Sequence, residues 1–581
     1  MESPRIIYRK RVALPIVESP MTLALMSRQQ VATENLPDRG QLASKTPSGM
    51  SWKKMIYNSI STFHSLVNFL INQLSMLFNI FPQRPDHPLA HDKELKRIVA
   101  EIRKAPASQA IEEVNSWFES LKYAEKFSID SYFNIVSQLD DAAQVHLRRM
   151  KREYLSLAES SKVEEERQWT RNYAYYREAA TLYESCLERA RSEPKNKSAE
   201  AFKTTLPLLD ARLQALRTHQ IKWLAYRYTT TDEPLWRALG RTFAAAEEAG
   251  YANKLMPLYT SQRSLTSVLQ QYLHAVVFHV SSLDRLTLEQ IDLADRLIVH
   301  FLPGFVFSAN VQPGSYWLNI GSGMAPSRPT RKPEGSPAGI RFLSATVAFK
   351  ALSSLTETLE RGEMPGDLDL GEQSSSGALL SVARHLRLYW APNPPQRRHV
   401  RHQVATRMSV VSDFFEIHKV FAHALRELRH MPGAANWSSD NVSLGGFRAC
   451  CEGKTDGILK LGSLICVQPE GSQSQMLGAI RRISRRRDGH ADLGVQVLAK
   501  QARAIQLQPR RSGFSAANQI PGLWLSDSGP SGLLRIILPI GQFNVRETME
   551  FHYAGQSRLL TPLEIEESGT DYEVARFRDS G

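Results

Sequence analysis

The 581-residue chain is predicted to be a multidomain α + β protein: an N-terminal all-α helical bundle, a C-terminal antiparallel β-barrel, and a further β-rich segment behind it. Its length exceeds what a single hydrophobic core sustains and points to two to four domains. From about Asp92 to Phe301, apolar residues recur at steps of three and four, with charged faces and few glycines, as packed helices require. From about Leu461 onward, short alternating runs are separated by glycine and polar turns, the pattern of small antiparallel sheets.

Residues 1–50 mix Pro, Ser, Gln and charges without periodicity and are predicted to be disordered. Over 51–82, Ile56, Ile60, Phe63, Val67, Leu70, Leu74, Leu77 and Phe81 form the apolar stripe of an amphipathic helix begun by Lys53-Lys54 and stopped by Pro82. Its Asn and Gln residues argue against a spanning helix. Docking on protein or contact of 53–81 with a membrane surface both fit. The helical domain is assigned to 83–302. Within it, Trp236–Phe243 matches the start of a tetratricopeptide helix, but no second copy follows at the required period, so a plain bundle is expected. Residues 303–392, rich in Gly, Pro and Ser around Gly321-Ser322-Gly323, read as linker and connecting helices. Residues 393–511 are assigned to the barrel and 512–581 to the β-rich extension.

Two motifs carry the functional reading. Arg397-Arg398-His399-Val400-Arg401 follows the stiff junction Ala391-Pro392-Asn393-Pro394-Pro395, and Asn441-Val442-Ser443-Leu444-Gly445-Gly446 lies downstream. Guanidinium groups fork onto phosphate oxygens or a guanine edge and stack on base faces. A short polar turn ending in glycine lets backbone N–H groups and a hydroxyl approach the same ligand. Behind the turn come Leu461–Val467, Leu477–Ile483 and Leu493–Leu498, all readable as strands.

Together these residues resemble the PilZ domain family, whose RxxxR and (D/N)xSxxG signatures bind the bacterial second messenger cyclic di-GMP. The resemblance covers about 393–498. It implies a barrel that holds cyclic di-GMP through Arg397, Arg398, Arg401, Asn441, Ser443 and Gly446, and a signalling receptor rather than an enzyme, with the helical domain carrying partner contacts. One departure is length: Asn441 stands forty positions beyond Arg401, more than the family's usual spacing. The excess contains Asp413–Arg426, whose apolar residues at 414, 417, 420/421 and 424/425 predict a helix inserted between strands and partly covering the ligand face.

The formal net charge is +13, and between Ala391 and Arg511 nineteen Lys/Arg face nine Asp/Glu, so the basic field belongs mostly to the barrel. Such a field attracts anions of any kind. A nucleic-acid-binding protein is one alternative. Yet the run Arg481-Arg482 and Arg485-Arg486-Arg487 lacks interleaved aromatics, reads as a solvated hairpin tip, and no nucleic acid is expected as a partner. A structural adaptor whose barrel has lost its ligand is the other. The four cysteines show no metal spacing, no histidine set matches a metal site, no catalytic constellation stands out, and no cofactor is expected. The absence of a secretory signal makes the expected location cytoplasmic, with peripheral contact at the inner membrane if 53–81 is an interfacial helix.

Overall fold

The computed structural model describes residues 85–581 apart from 125, 158–161, 193–196, 313, 329–338, 367–374, 394–398, 426, 452–459, 487, 511–518, 527–531 and 581. The stretch 1–50, the amphipathic helix 51–82, Arg397 and Arg398 lie outside the described residues. Arg84–Gly581 forms one compact unit.

The helical part runs through α1 (Asp92–Lys104), α2 (Ala107–Lys122), α3 (Ile129–Leu157), α4 (Lys162–Ser192), α5 (Lys197–Phe202), α6 (Leu206–Tyr226), α7 (Glu233–Glu248), α8 (Val268–Val280) and α9 (Leu288–Phe301). Helix α6 is central, and its buried residues include Arg212, Arg217 and Lys222. A buried cation persists only where it is paired. Arg212 reaches Asp141 at 2.8 Å, Arg217 pairs with Glu184, and Lys222 Nζ lies 2.8 Å from Asp292 and 2.5 Å from Asp295. Trp236–Phe243 falls in α7. A Cβ on Gly240 would stand 1.8 Å from the Ile320 carbonyl oxygen, so this glycine serves a close helix-to-loop approach.

Residues 303–392 contain the two expected connecting helices, but their Gly/Pro-rich first part is a small sheet rather than a linker. A hairpin of β1 (Met256–Pro257) and β2 (Leu265–Thr266) precedes them, and then β3 (Val306–Ser308), β4 (Tyr316–Asn319) and β5 (Ile340–Ser344) form a sheet in the order β3-β5-β4. With α10 (Thr346–Glu360) and α11 (Ser376–Trp390) they join the same core as the helices, burying Phe305, Tyr316, Leu343, Leu379 and Trp390. The glycines and prolines of this region mark tight turns: Gly321 N–H donates to Asn319 Oδ1 at 3.0 Å, and Gly323 has φ 74°. Strands of three to five residues are too short to declare themselves by alternation.

The barrel part contains two closed six-stranded barrels. The first is built from β6 (His402–Ser412), β7 (Ala435–Ser443), β8 (Gly446–Cys451), β9 (Leu464–Pro469), β10 (Met476–Arg485) and β11 (Ala491–Ala499), in the order β10-β11-β8-β7-β6-β9. The second contains β12 (Ala502–Pro509), β13 (Ile520–Leu525), β14 (Leu533–Pro539), β15 (Met549–Tyr553), β16 (Gln556–Ser568) and β17 (Tyr572–Asp579). The boundary therefore falls after Ala499, ahead of the expected 511, because β12 pairs with β13 and β15 and with no strand of the first barrel. Each barrel fills its interior by alternation. Val410, Ile465 and Val467 point inward, while Val411, Leu464 and Cys466 point outward onto the second barrel.

The inserted helix exists as α12 (Phe414–Ala422), capped by Asp413, whose carboxylate accepts from the N–H of Phe415 at 2.9 Å and of Glu416 at 3.2 Å. Its place corrects the expectation that it covers the ligand face. Phe414, Ile417 and Val420 are buried with Leu523, Leu525 and Ile537 of the second barrel, and the His418 ring lies 3.2 Å from the Ile505 carbonyl oxygen. The apolar face that the spacing reveals is claimed by the second barrel, so the helix mortises the two barrels together.

The helical part meets the first barrel at β10. Beyond Ile480, β9 no longer pairs with this strand. There Thr229 bridges Arg485 in parallel register, Arg485 N–H donates to the Tyr228 carbonyl at 2.7 Å, and Thr230 N–H donates to the Arg485 carbonyl at 3.2 Å. The Tyr228 side chain packs against the barrel's inner cluster and donates its hydroxyl to the Leu286 carbonyl at 2.9 Å.

Candidate functional site

The chain is pinned up to Pro392, ahead of the arginine segment. Helix α11 ends at Trp390, whose indole N–H donates to Ser281 Oγ at 3.0 Å. Past it, the Arg328 guanidinium donates to the carbonyls of Tyr389 at 2.6 Å, Ala391 at 2.8 Å and Pro392 at 3.2 Å, satisfying the orphan acceptors of the helix end. The chain resumes at exposed His399, Val400 and Arg401 and enters β6, where His402 pairs with Val442 and Gln403 with Asn441.

The second motif forms the β7–β8 hairpin. Ser443 pairs with Gly446 across the two-residue loop Leu444-Gly445, and Ser443 Oγ donates to the Gly446 carbonyl at 2.9 Å. A Cβ on Gly446 would stand 2.1 Å from the Val495 carbonyl oxygen, so no side chain fits between β8 and β11 there. Gly446→Ala is expected to destabilise the first barrel by about 1–3 kcal/mol, because the obstructing atom is backbone and cannot swing aside. A lowered midpoint in thermal unfolding checks this.

The two motifs meet. A Cβ built on Gly445 would lie 3.1 Å from the His399 ring, so the middle of the arginine segment rests directly on the hairpin loop. Asn441 sits just after a register shift between Ser439 and Asn441, and such a bulge re-aims the side chain that follows it. Its Nδ2 donates to Asp440 Oδ1 at 2.8 Å, while its Oδ1 is buried without a hydrogen-bond partner. An orphaned acceptor of this kind is a place for a ligand donor. Arg448 braces the hairpin from behind, reaching Asp440 at 2.8 Å and Asp492 at 3.1 Å. Val400 and Leu444 are 77% and 72% exposed and flank the meeting point with apolar surface.

Of the six sequence-predicted residues, the structure thus brings Arg401, Asn441, Ser443 and Gly446 to one end of the first barrel; Arg397 and Arg398 lie outside the described residues. His399 and Arg448 were missed as contributors. His399 was visible only as the centre of the arginine run, and Arg448 had no sequence signal, since its partners lie eight and forty-four positions away.

The second basic run lies at the β10–β11 hairpin turn with Arg482 and Arg486 exposed, as expected of a solvated tip, yet three of its cations are paired. Arg481 pairs with Glu567 of the second barrel, Arg482 with Asp284 of the helical part, and Arg486 with Asp492 through two 3.0 Å bonds. Arg481 and Arg482 thus join the first barrel to other parts of the chain, while Arg486 stays within its own hairpin. No metal-binding cluster occurs among the described residues. All four cysteines are free thiols, and burial pushes those of Cys186 and Cys466 up to about 12. No described helix is long and apolar enough to cross a membrane, and 53–81 lies outside the described residues.

Compared with known proteins, residues 93–311 match the family model described as the N-terminal domain of the cyclic-di-GMP receptor FimW. The match covers the helical part through α9 and β3 and ends before the first barrel. No curated protein matches the chain significantly.

Proposed function

We propose that this protein is a cyclic di-GMP receptor that acts by binding rather than catalysis, with the nucleotide held at the end of the first barrel. The observation that supports the reading is the approach of His399, close to Arg401 in the chain, to Gly445 of the NxSxxG hairpin. The similarity of the helical part to the receptor family supports the ligand independently, since it involves none of the barrel residues. A six-stranded barrel entered by the arginine segment also supports the resemblance to PilZ domains.

In this reading Arg397, Arg398 and Arg401 fork onto the phosphates or stack on guanine. Asn441 Oδ1 accepts from the guanine edge, and Ser443 with Gly446 fixes the hairpin that lets the ligand approach backbone. The engagement of Arg481, Arg482 and Arg486 inside the chain argues against a polynucleotide surface. The helical part would carry partner contacts, and β10 would pass changes at the barrel to it through Tyr228–Thr230.

Calorimetric titration of the full chain with cyclic di-GMP, beside GTP and a short oligonucleotide, tests the proposal. Saturable binding of cyclic di-GMP alone is expected. Equal binding of the oligonucleotide, falling steeply with salt, would replace this reading with the nucleic-acid one.

A further inference from the structure

We infer that a cavity of about 480 Å³ in the helical part is a second binding site, for a small organic anion bearing a planar ring. It lies between α3, α4, α6, α8, α9 and the β1–β2 hairpin, and its volume is in the ~300–1,000 Å³ range of small-molecule sites.

The charges around it do not cancel. Lys151 and Lys222 both bond Asp292 Oδ1 at 2.8 Å, Arg296 lies 3.4 Å from the other Asp292 oxygen, and Asp295 serves Lys222 and, at 2.7 Å, His274. Lys151 and Lys222 thus share one Asp292 oxygen. A further cation, Arg148, stands exposed on the cavity wall and makes no ion pair or hydrogen bond among the described residues. The Lys222 charge, followed by burial, pushes the Lys151 ammonium down, which is the strain an incoming anion would relieve.

His219 supplies the second observation. Its ring stacks on Tyr176 with centroids 4.9 Å apart, lines the cavity, and has no hydrogen bond to the described chain. Burial, with the Lys222 charge behind it, pushes this imidazole down to about 3, so it stays neutral and offers one donor and one acceptor. A neutral polar edge on an aromatic floor receives a planar ring, while Arg148 and Lys151 receive its carboxylate or phosphate.

The test titrates the full chain with guanosine 5′-monophosphate, 4-hydroxybenzoate and, as a ringless control, inorganic phosphate. At least one ring-bearing probe is expected to bind about tenfold or more tightly than phosphate. Arg148→Ala, at an exposed position, and His219→Phe, which keeps the stack, should each weaken that binding by about tenfold. Arg401→Ala should leave it unchanged. Failure of both ring-bearing probes to bind by about 10 mM, binding no better than phosphate, or indifference to both cavity substitutions overturns the inference. Loss of cyclic di-GMP binding alone would leave it standing, since the two sites share no residue.

Discussion

The Arg397→Ala/Arg401→Ala double variant is expected to fold normally and to bind cyclic di-GMP about 10²–10⁴-fold more weakly than the parent chain. Charge-assisted hydrogen bonds contribute roughly 1.5–3 kcal/mol each, and two of them are removed. Arg401 is exposed, so its truncation should cost the fold little. Asn441→Ala offers a separate measure of the base contact. It removes a buried acceptor that has no hydrogen-bond partner among the described residues, so stability should change little while affinity falls. Undiminished binding by a folded double variant would sink the site assignment. Circular dichroism beside the titration separates that outcome from misfolding.

The largest stability effect is expected from Lys222→Met, at about 3–5 kcal/mol. This substitution leaves Asp292 and Asp295 buried without their shared cation, and breaking one side of a buried pair costs far more than the pair contributes. Burial pushes both carboxyls up, but the charges and hydrogen bonds of Lys222, joined by Lys151 at Asp292 and by His274 at Asp295, together outweigh it and hold them below the ordinary carboxylate range. A depressed carboxyl contributes stability that is present above its unfolded value of about 3.9 and is lost as pH falls through the folded value. The parent helical part should therefore keep this contribution at pH 5, whereas the variant should be destabilised there as at pH 7. Urea unfolding at the two pH values checks both statements. A midpoint unmoved by Lys222→Met would mean that Lys151, Arg296 and His274 suffice to neutralise the pair.

The parts of the fold that sequence made legible are those where one face is buried and the other wet. Helix α12 was readable because Phe414, Ile417 and Val420 share one stripe. Strands β9, β10 and β11 were readable as short apolar runs between turns. By contrast β6 opens with His402, Gln403, Val404 and Ala405 all exposed, and β16 is largely exposed along its length, so neither carries a period to find. The two motifs were visible because the proposed chemistry demands particular residue types at fixed spacing. Their meeting point was not, because His399 against Gly445 is a product of hairpin geometry. Still less could the sequence tell that α12 seats on the second barrel, since an apolar stripe does not name its partner. Tyr228 and Asp284 reach the first barrel across about two hundred positions of chain or more and leave no local trace.

The parallel bridge between Thr229 and Arg485 also orders events during synthesis. The segment Tyr228–Thr230 that flanks β10 on this side is translated some 250 residues before Arg485, and at ~5–20 residues per second the helical part has on the order of ten seconds or more to fold first. When β10 emerges, its docking edge is already waiting, which limits the time that an unpaired strand is open to another chain. The same arithmetic governs dissection of the molecule. A fragment cut at the proline junction keeps all twelve strands of the two barrels but leaves the far half of β10 without its neighbour. Self-association of such a fragment would reflect the missing Tyr228–Thr230 segment rather than a property of the intact protein.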